Sequence, residues 1–195
     1  MNIRLAACAC ALLATGCATL PDAGSAANWP QRRTALQSLE RWTLDGRMAV
    51  AAGSEGFSGG LSWRQDGPQA AIELRAPMGG GAIAINVAGE AISVTDADGT
   101  TFEGEDARRL IARHIGKTLP VGQLRYWLVG APAPGSPHRE SMGADQRLAS
   151  LEQSGWRVGY TSYRGVGEIV LPSRMEITSE GLRLRILVAG WRLGP

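Results

Sequence analysis

Two short stretches hold side chains of the kind that do chemistry. Gly56-Phe57-Ser58-Gly59-Gly60 has the G-x-S-x-G spacing of a serine nucleophile. That motif exposes its hydroxyl on a strained strand-to-helix turn, with a histidine as base and an acid to orient it. His114 or His138 would be the base, and Asp66 or Asp98 the orienter. The serine here enters an alternating, strand-like pattern with no helix after it, which argues against that chemistry. Asp96-Ala97-Asp98-Gly99 opens like a calcium loop, but Thr101, Glu103 and Ala107 follow where further ligands and a terminal bidentate glutamate are required. A hairpin turn is the reading it supports. His114 and His138 are too far apart in sequence for a compact metal pattern. Gly79-Gly80-Gly81 lacks the strand-to-helix context of a nucleotide loop. No catalytic residue, metal or cofactor is expected.

Cys17 is a different kind of reactive site. It closes Leu13-Ala14-Thr15-Gly16-Cys17, and small residues before a cysteine are what a lipoprotein signal peptidase needs. The thiol would be acylated and the cysteine become the new N-terminus. Leu13 stands one place further back than the usual leucine. Met1–Arg4 is a short positive start, and Leu5–Ala14 is an apolar run of signal length, too short to span a bilayer. Residues 1–16 therefore read as a lipoprotein signal peptide. Cys8 and Cys10 leave with it, so no disulfide is expected within the mature chain despite an oxidising envelope. Ala18 is not the aspartate that retains lipoproteins at the inner membrane of enteric bacteria, so outer-membrane sorting is expected, the anchor facing the periplasm. Residues 17–28 are rich in Ala, Gly and Ser and read as a flexible tether.

The elements that position the rest begin at Trp29. The chain has 195 residues, enough for one domain over 29–195 with a real core. A net charge of +2 implies no strong pull toward nucleic acid. Trp29-Pro30 opens a helix to about Arg41, with Trp29, Leu36 and Leu39 as its apolar contacts. From Trp42 the period becomes two, and six short antiparallel strands follow to Phe102. Glu105–Ile115 and Val121–Leu128 then read as helices with apolar stripes, the first capped by Gly116. A second group of six strands runs from about Arg139 to Trp191. Leu148 and Leu151 are out of step with alternation, which predicts a bulge, and Pro172 predicts an edge or a bend. A curved sheet of about a dozen strands leaves a concave face that two helices would cover, a β-cup able to hold an apolar ligand. Within it, Ala70–Ala76 and Ile83–Val87 flank the turn Pro77-Met78-Gly79-Gly80-Gly81. Hairpin tips are normally polar. Met78 either folds back into the core or is offered to a membrane or another apolar partner.

The succession of motifs resembles a known family. Trp29, Gly46-Arg47, Trp63-Arg64-Gln65 and Ala76-Pro77-Met78-Gly79 are similar to the outer-membrane lipoprotein receptor family LolB. So are Leu119-Pro120-Val121, the run Leu124–Gly130, Gly155–Tyr160, Leu171-Pro172 and the late Trp191. The resemblance covers nearly the whole mature chain. It implies a mainly β (α+β) fold, an incomplete antiparallel β-barrel with helices covering an apolar cavity. It also implies a receptor that takes lipoproteins from the periplasmic carrier LolA and inserts them into the outer membrane. The family carries an exposed leucine in the loop after a proline, needed for delivery; Met78 holds that place, so Pro77, Met78 and Gly79 are the expected membrane-insertion loop.

On this reading Met48, Leu61, Trp63, Ile72, Leu74, Ile83, Ile85 and Ile92 are the expected acyl-cavity walls. Leu110, Ile111, Leu124, Trp127 and Leu128 are the expected lid. A buried methylene is worth ~0.8 kcal/mol, so one ~16-carbon chain represents on the order of 10 kcal/mol that the cavity must approach. Expected partners are the carrier LolA, acylated cargo and outer-membrane phospholipid, with the protein itself a monomer. The competing reading is a structural envelope lipoprotein whose β-cup presents a protein-binding face.

Overall fold

The computed structural model describes residues 28–194 apart from 54, 78, 79 and 116–118. The expected signal peptide, Cys17, most of the tether, Met78, Gly79 and the Gly116 cap lie outside the described residues. Helix α1 (Trp29–Gln37) comes first, then strands β1 (Arg41–Ala52), β2 (Glu55–Asp66), β3 (Gln69–Arg75), β4 (Ala82–Ala88), β5 (Ala91–Thr95) and β6 (Thr101–Glu103). Helices α2 (Gly104–Ile115) and α3 (Val121–Leu128) follow. The chain finishes with β7 (His138–Met142), β8 (Leu148–Gln153), β9 (Trp156–Val166), β10 (Ile169–Ser179) and β11 (Leu182–Leu193).

All the strands join one antiparallel sheet in the order β6-β5-β4-β3-β2-β1-β11-β10-β9-β8-β7. It does not close: β6 and β7 are its free edges. Each half is a meander, and the two ends of the domain meet in the middle, where Trp42 pairs with Leu193 and Ala52 with Leu182. Alternation decides the faces. In β11, Leu182, Leu184, Ile186 and Val188 are buried while Arg183, Arg185 and Leu187 are exposed. The concave side is built around Trp42, whose ring stacks 6.0 Å from Trp63 and meets Trp191 edge-on at 5.3 Å. Gly46 is required at the β1–β11 seam, since a Cβ there would lie 2.2 Å from the carbonyl oxygen of Leu187.

Three details differ from or sharpen the sequence reading. The two strands expected around Pro172 are one strand, so eleven strands form among the described residues rather than twelve. Pro172 has no N–H for a ladder, and it sits where β10 leaves β11, whose pairing with β10 starts only at Arg174. The register with β9 shifts there, and the Pro172 carbonyl accepts the Trp191 indole N–H at 2.9 Å instead. The bulge expected near Leu148 is present: Ser141 pairs with Ser150 and Met142 with Leu148, which leaves Ala149 unopposed and both leucines buried. Finally, α1 stops at Gln37 rather than near Arg41: past the Ser38 cap the Leu39 N–H bonds the Leu36 carbonyl at 3.3 Å, three residues back instead of four, and Arg41 opens β1.

Candidate functional site

Six of the eight expected wall residues lie in two cross-strand rows on the apolar face. Trp63, Ile72, Ile85 and Val94 form one across β2–β5. Leu61, Leu74 and Ile83 form the next. Met48 pairs with Ile186 at the seam, and Ile92 with Val87 near the far turn. Of the eight, Leu74 and Ile83 are half-buried and the others buried. The residues expected as lid join the same apolar cluster: Ile111, Leu124, Trp127 and Leu128 are buried and Leu110 is half-buried.

Helix α3 is held by polar groups as well as by its stripe. The Trp127 indole N–H donates to Gln153 Oε1 at 2.8 Å, and the Tyr160 hydroxyl donates to the Trp127 carbonyl at 2.8 Å. Arg125 donates to the Gly67 carbonyl at 2.6 Å from the other half of the sheet. Just past the helix, Gly130 turns at φ +84° against Pro172. Burial holds the Tyr160 phenol neutral, far above its ordinary pKa, and raises Tyr163 for the same reason, with Asp145 adding to the shift.

Two grooves border this apolar cluster. One, of about 290 Å³, lies between α2 and the start of α3, where Ile92, expected as wall, and Ile111, expected as lid, meet Val87, Leu119 and Val121. The other, of about 430 Å³ and mostly apolar, lies under α1, lined by Trp29, Leu36, Leu39, Tyr163, Ile169 and Val170 among others. Sequence reasoning found the helix side of this groove and missed its floor. Val170 and Ile169 sit just before the Pro172 break, where alternation gives no face. Helix α1 is pinned over the groove by polar contacts at its ends. Trp29 donates to Glu140 at 2.6 Å, Gln37 donates to the Pro132 carbonyl at 2.9 Å, and Arg32 reaches the Gln146 carbonyl.

The other motifs have local structural roles. Ser58 is an exposed residue within β2, opposite Ala49, not at a strand-to-helix turn. His138 pairs with Glu140 at 3.2 Å on edge strand β7. The Asp96 carboxylate accepts the backbone N–H groups of Asp98 and Thr100 at 3.0 and 2.9 Å, which makes the hairpin turn expected there. At the β3–β4 tip, Ala76 N–H donates to the Gly81 carbonyl and Gly80 N–H to that of exposed Pro77. Gly81 turns at φ +90° beside Ala97, where a Cβ would approach to 2.5 Å. Among the described residues no cluster of acids, histidines and cysteines could hold a metal, and no helix is long and apolar enough to cross a membrane.

A family model described as outer membrane lipoprotein LolB matches residues 40–191. The chain belongs to the LolB family. Full-length relatives agree. The outer-membrane lipoprotein LolB of Nitrosococcus oceani is 34% identical over 188 residues, 94% of each chain. That of Pseudomonas aeruginosa is 33% identical over 198 residues, 98% of this chain and 96% of that one. Solved structures share the fold at low identity. A LolA superfamily protein from Nitrosomonas europaea superposes with a TM-score of 0.56 at 10% identity, over 84% of this chain and 94% of that one. A DUF1329 family protein from Desulfovibrio piger gives 0.57 at 10% identity, over 84% and 89%. The unclosed antiparallel sheet with its few helices is thus a fold that this chain shares with a LolA superfamily protein.

Proposed function

We propose that this chain is an outer-membrane lipoprotein receptor that accepts acylated proteins from a LolA-type carrier, shelters their acyl chains and releases them into the membrane. It does so by binding and transfer, without catalysis. The observation that carries the proposal is the single apolar face of an unclosed sheet, covered by helices and bordered by two grooves. A closed barrel would have no seam through which a chain attached to a protein could pass. Here the α2–α3 seam and the groove under α1 provide two. The wall and lid residues supply apolar surface, and Cys17 holds the domain at its target membrane through the tether of residues 17–28. Pro77, Met78 and Gly79 bring the hairpin tip to the lipid.

The experiment follows a radiolabelled lipoprotein from its complex with the carrier to this chain, and then to liposomes. Transfer in both steps without nucleotide is the expected result. A chain that takes up neither cargo nor a displaceable apolar probe is a structural lipoprotein, and the proposal is then wrong.

A further inference from the structure

The outer face of the sheet carries a feature that the fold does not require. Strand β11 lies mid-sheet, so charges along it are not needed to block edge-to-edge pairing. Yet Arg183 and Arg185 point outward from it, alternating with buried Leu184 and Ile186. Leu187 follows, buried against its neighbours' sides only in part: at 47% it is the most exposed large apolar side chain among the described residues. Its cross-strand partners are Arg47 on β1 and Arg174 on β10. Directly opposed residues share a face about 5 Å apart, so the leucine stands between two guanidinium stems. Both arginines are exposed. Two carboxylates stand on this part of the face and both are taken: Glu176 by Arg185 at 2.8 Å and Arg183 at 3.7 Å, and Asp45, two residues from Arg47, by Arg192 at 2.7 Å. Among the described residues neither Arg47 nor Arg174 has a carboxylate within ion-pair distance.

Five guanidiniums (Arg47, Arg174, Arg183, Arg185 and Arg192) around two carboxylates select an anionic partner. The exposed leucine narrows the choice. An acidic protein would need a pocket matched to it, whereas a bilayer presents phosphates outside and an apolar boundary beneath, with no matching required. Guanidinium forks also suit phosphate oxygens. We propose that this outer face docks on anionic phospholipid, with Arg47 and Arg174 on headgroup phosphates and Leu187 in the interfacial layer. One lipid anchor plus a basic patch holds a membrane more firmly than the anchor alone. The inference rests on the chain's placement at a membrane and not on cargo transfer.

The test uses the mature lipidated chain in vesicles without cargo, so that it can fail independently of the receptor reading. An environment-sensitive fluorophore is attached at Ala49→Cys, beside Arg185 on the same face. Phosphatidylcholine vesicles are compared with vesicles containing phosphatidylglycerol. A blue shift and quenching by lipid-borne quenchers are expected only with phosphatidylglycerol, and both should fade as salt rises. The double variant Arg47→Gln/Arg174→Gln should weaken docking about 30-fold, two charges' worth. Its fold is checked by circular dichroism, and the salt series on the parent chain stands without it. Equal signals in both vesicle types, or docking unchanged by salt or by the double variant, overturns the inference. Absence of contact in either vesicle type also overturns it and points to an acidic protein partner.

Discussion

The Trp127 indole N–H and the Gln153 side-chain oxygen lie 2.8 Å apart in a buried site that ties α3 to the end of β8. Gln153 also accepts the Ala133 N–H and donates to the Ala133 carbonyl, both at 2.8 Å. One amide thus satisfies the helix and the loop that leaves it. A second Trp–Gln pair sits in the other half of the sheet, where Trp63 donates to Gln65 at 2.8 Å and Gln65 donates to the Gly67 and Gln69 carbonyls.

Gln153→Leu removes all the partners of that first site. The Trp127 and Ala133 groups are left buried and unpaired, each costing about 1–3 kcal/mol. Urea unfolding should show a loss of about 3 kcal/mol or more. The same change at Gln65 should cost less, because water reaches the carbonyls it serves. Equal losses would show that the amide at 153 has no special part in holding the lid.

The β1–β11 seam gives a second comparison. Gly46→Ala places a Cβ 2.2 Å from the Leu187 carbonyl oxygen, whereas Gly60→Ala meets nothing closer than Arg75 Cβ at 3.6 Å. Overpacking at the first position should destabilise by about 1–3 kcal/mol. The second should be close to neutral in the same unfolding measurement.

Stability should fall in alkali. Burial raises the phenol pKa of Tyr160 and Tyr163 above the ordinary value of 10.0. Below that pH both phenols are protonated folded or unfolded, so their contribution is complete. Above it the unfolded chain loses protons that the folded chain keeps, and stability drops by up to about 1.4 kcal/mol per pH unit for each tyrosine. Tyr160→Phe should shallow that slope by one proton while costing the hydrogen bond to the Trp127 carbonyl at neutral pH. Unfolding midpoints across the alkaline range, with and without the substitution, check the sign.

Met78→Glu should leave thermal unfolding and cargo uptake nearly unchanged and block insertion into liposomes. A thioether entering an apolar phase gains only ~1.5–3 kcal/mol, enough to steady a brief contact but not to anchor the protein. Met78→Leu should deliver cargo normally. If the glutamate variant unfolds, the residue belongs to the core; if it delivers, the tip has no part in release.

Much of this fold was legible locally. Alternation in Trp42–Val50 and Leu182–Trp191 marks the buried face residue by residue, and the stripe Val121–Leu128 gives α3 to both its ends. The out-of-step Leu148 and Leu151 announced a bulge because two buried residues three apart cannot share a face without one. What was not legible is long-range. Nothing in either strand says that Trp42 pairs with Leu193 rather than with another edge. The floor of the α1 groove was hidden likewise, since Tyr163 on β9 and Ile169 on β10 line it with Leu36 although they lie far from it in sequence.

That central pairing bears on how the chain reaches this form. Each half can zip strand by strand from local hairpins, but the two halves join only through β1 and β11. Contacts so distant in sequence close slowly. A chain delivered N-terminus first must therefore keep β1 as an open template for wrong pairing until its final strand of 12 residues emerges. Truncating that strand would remove more than its own length implies: it would leave two half-sheets, one ending in bare β1 and the other in bare β10.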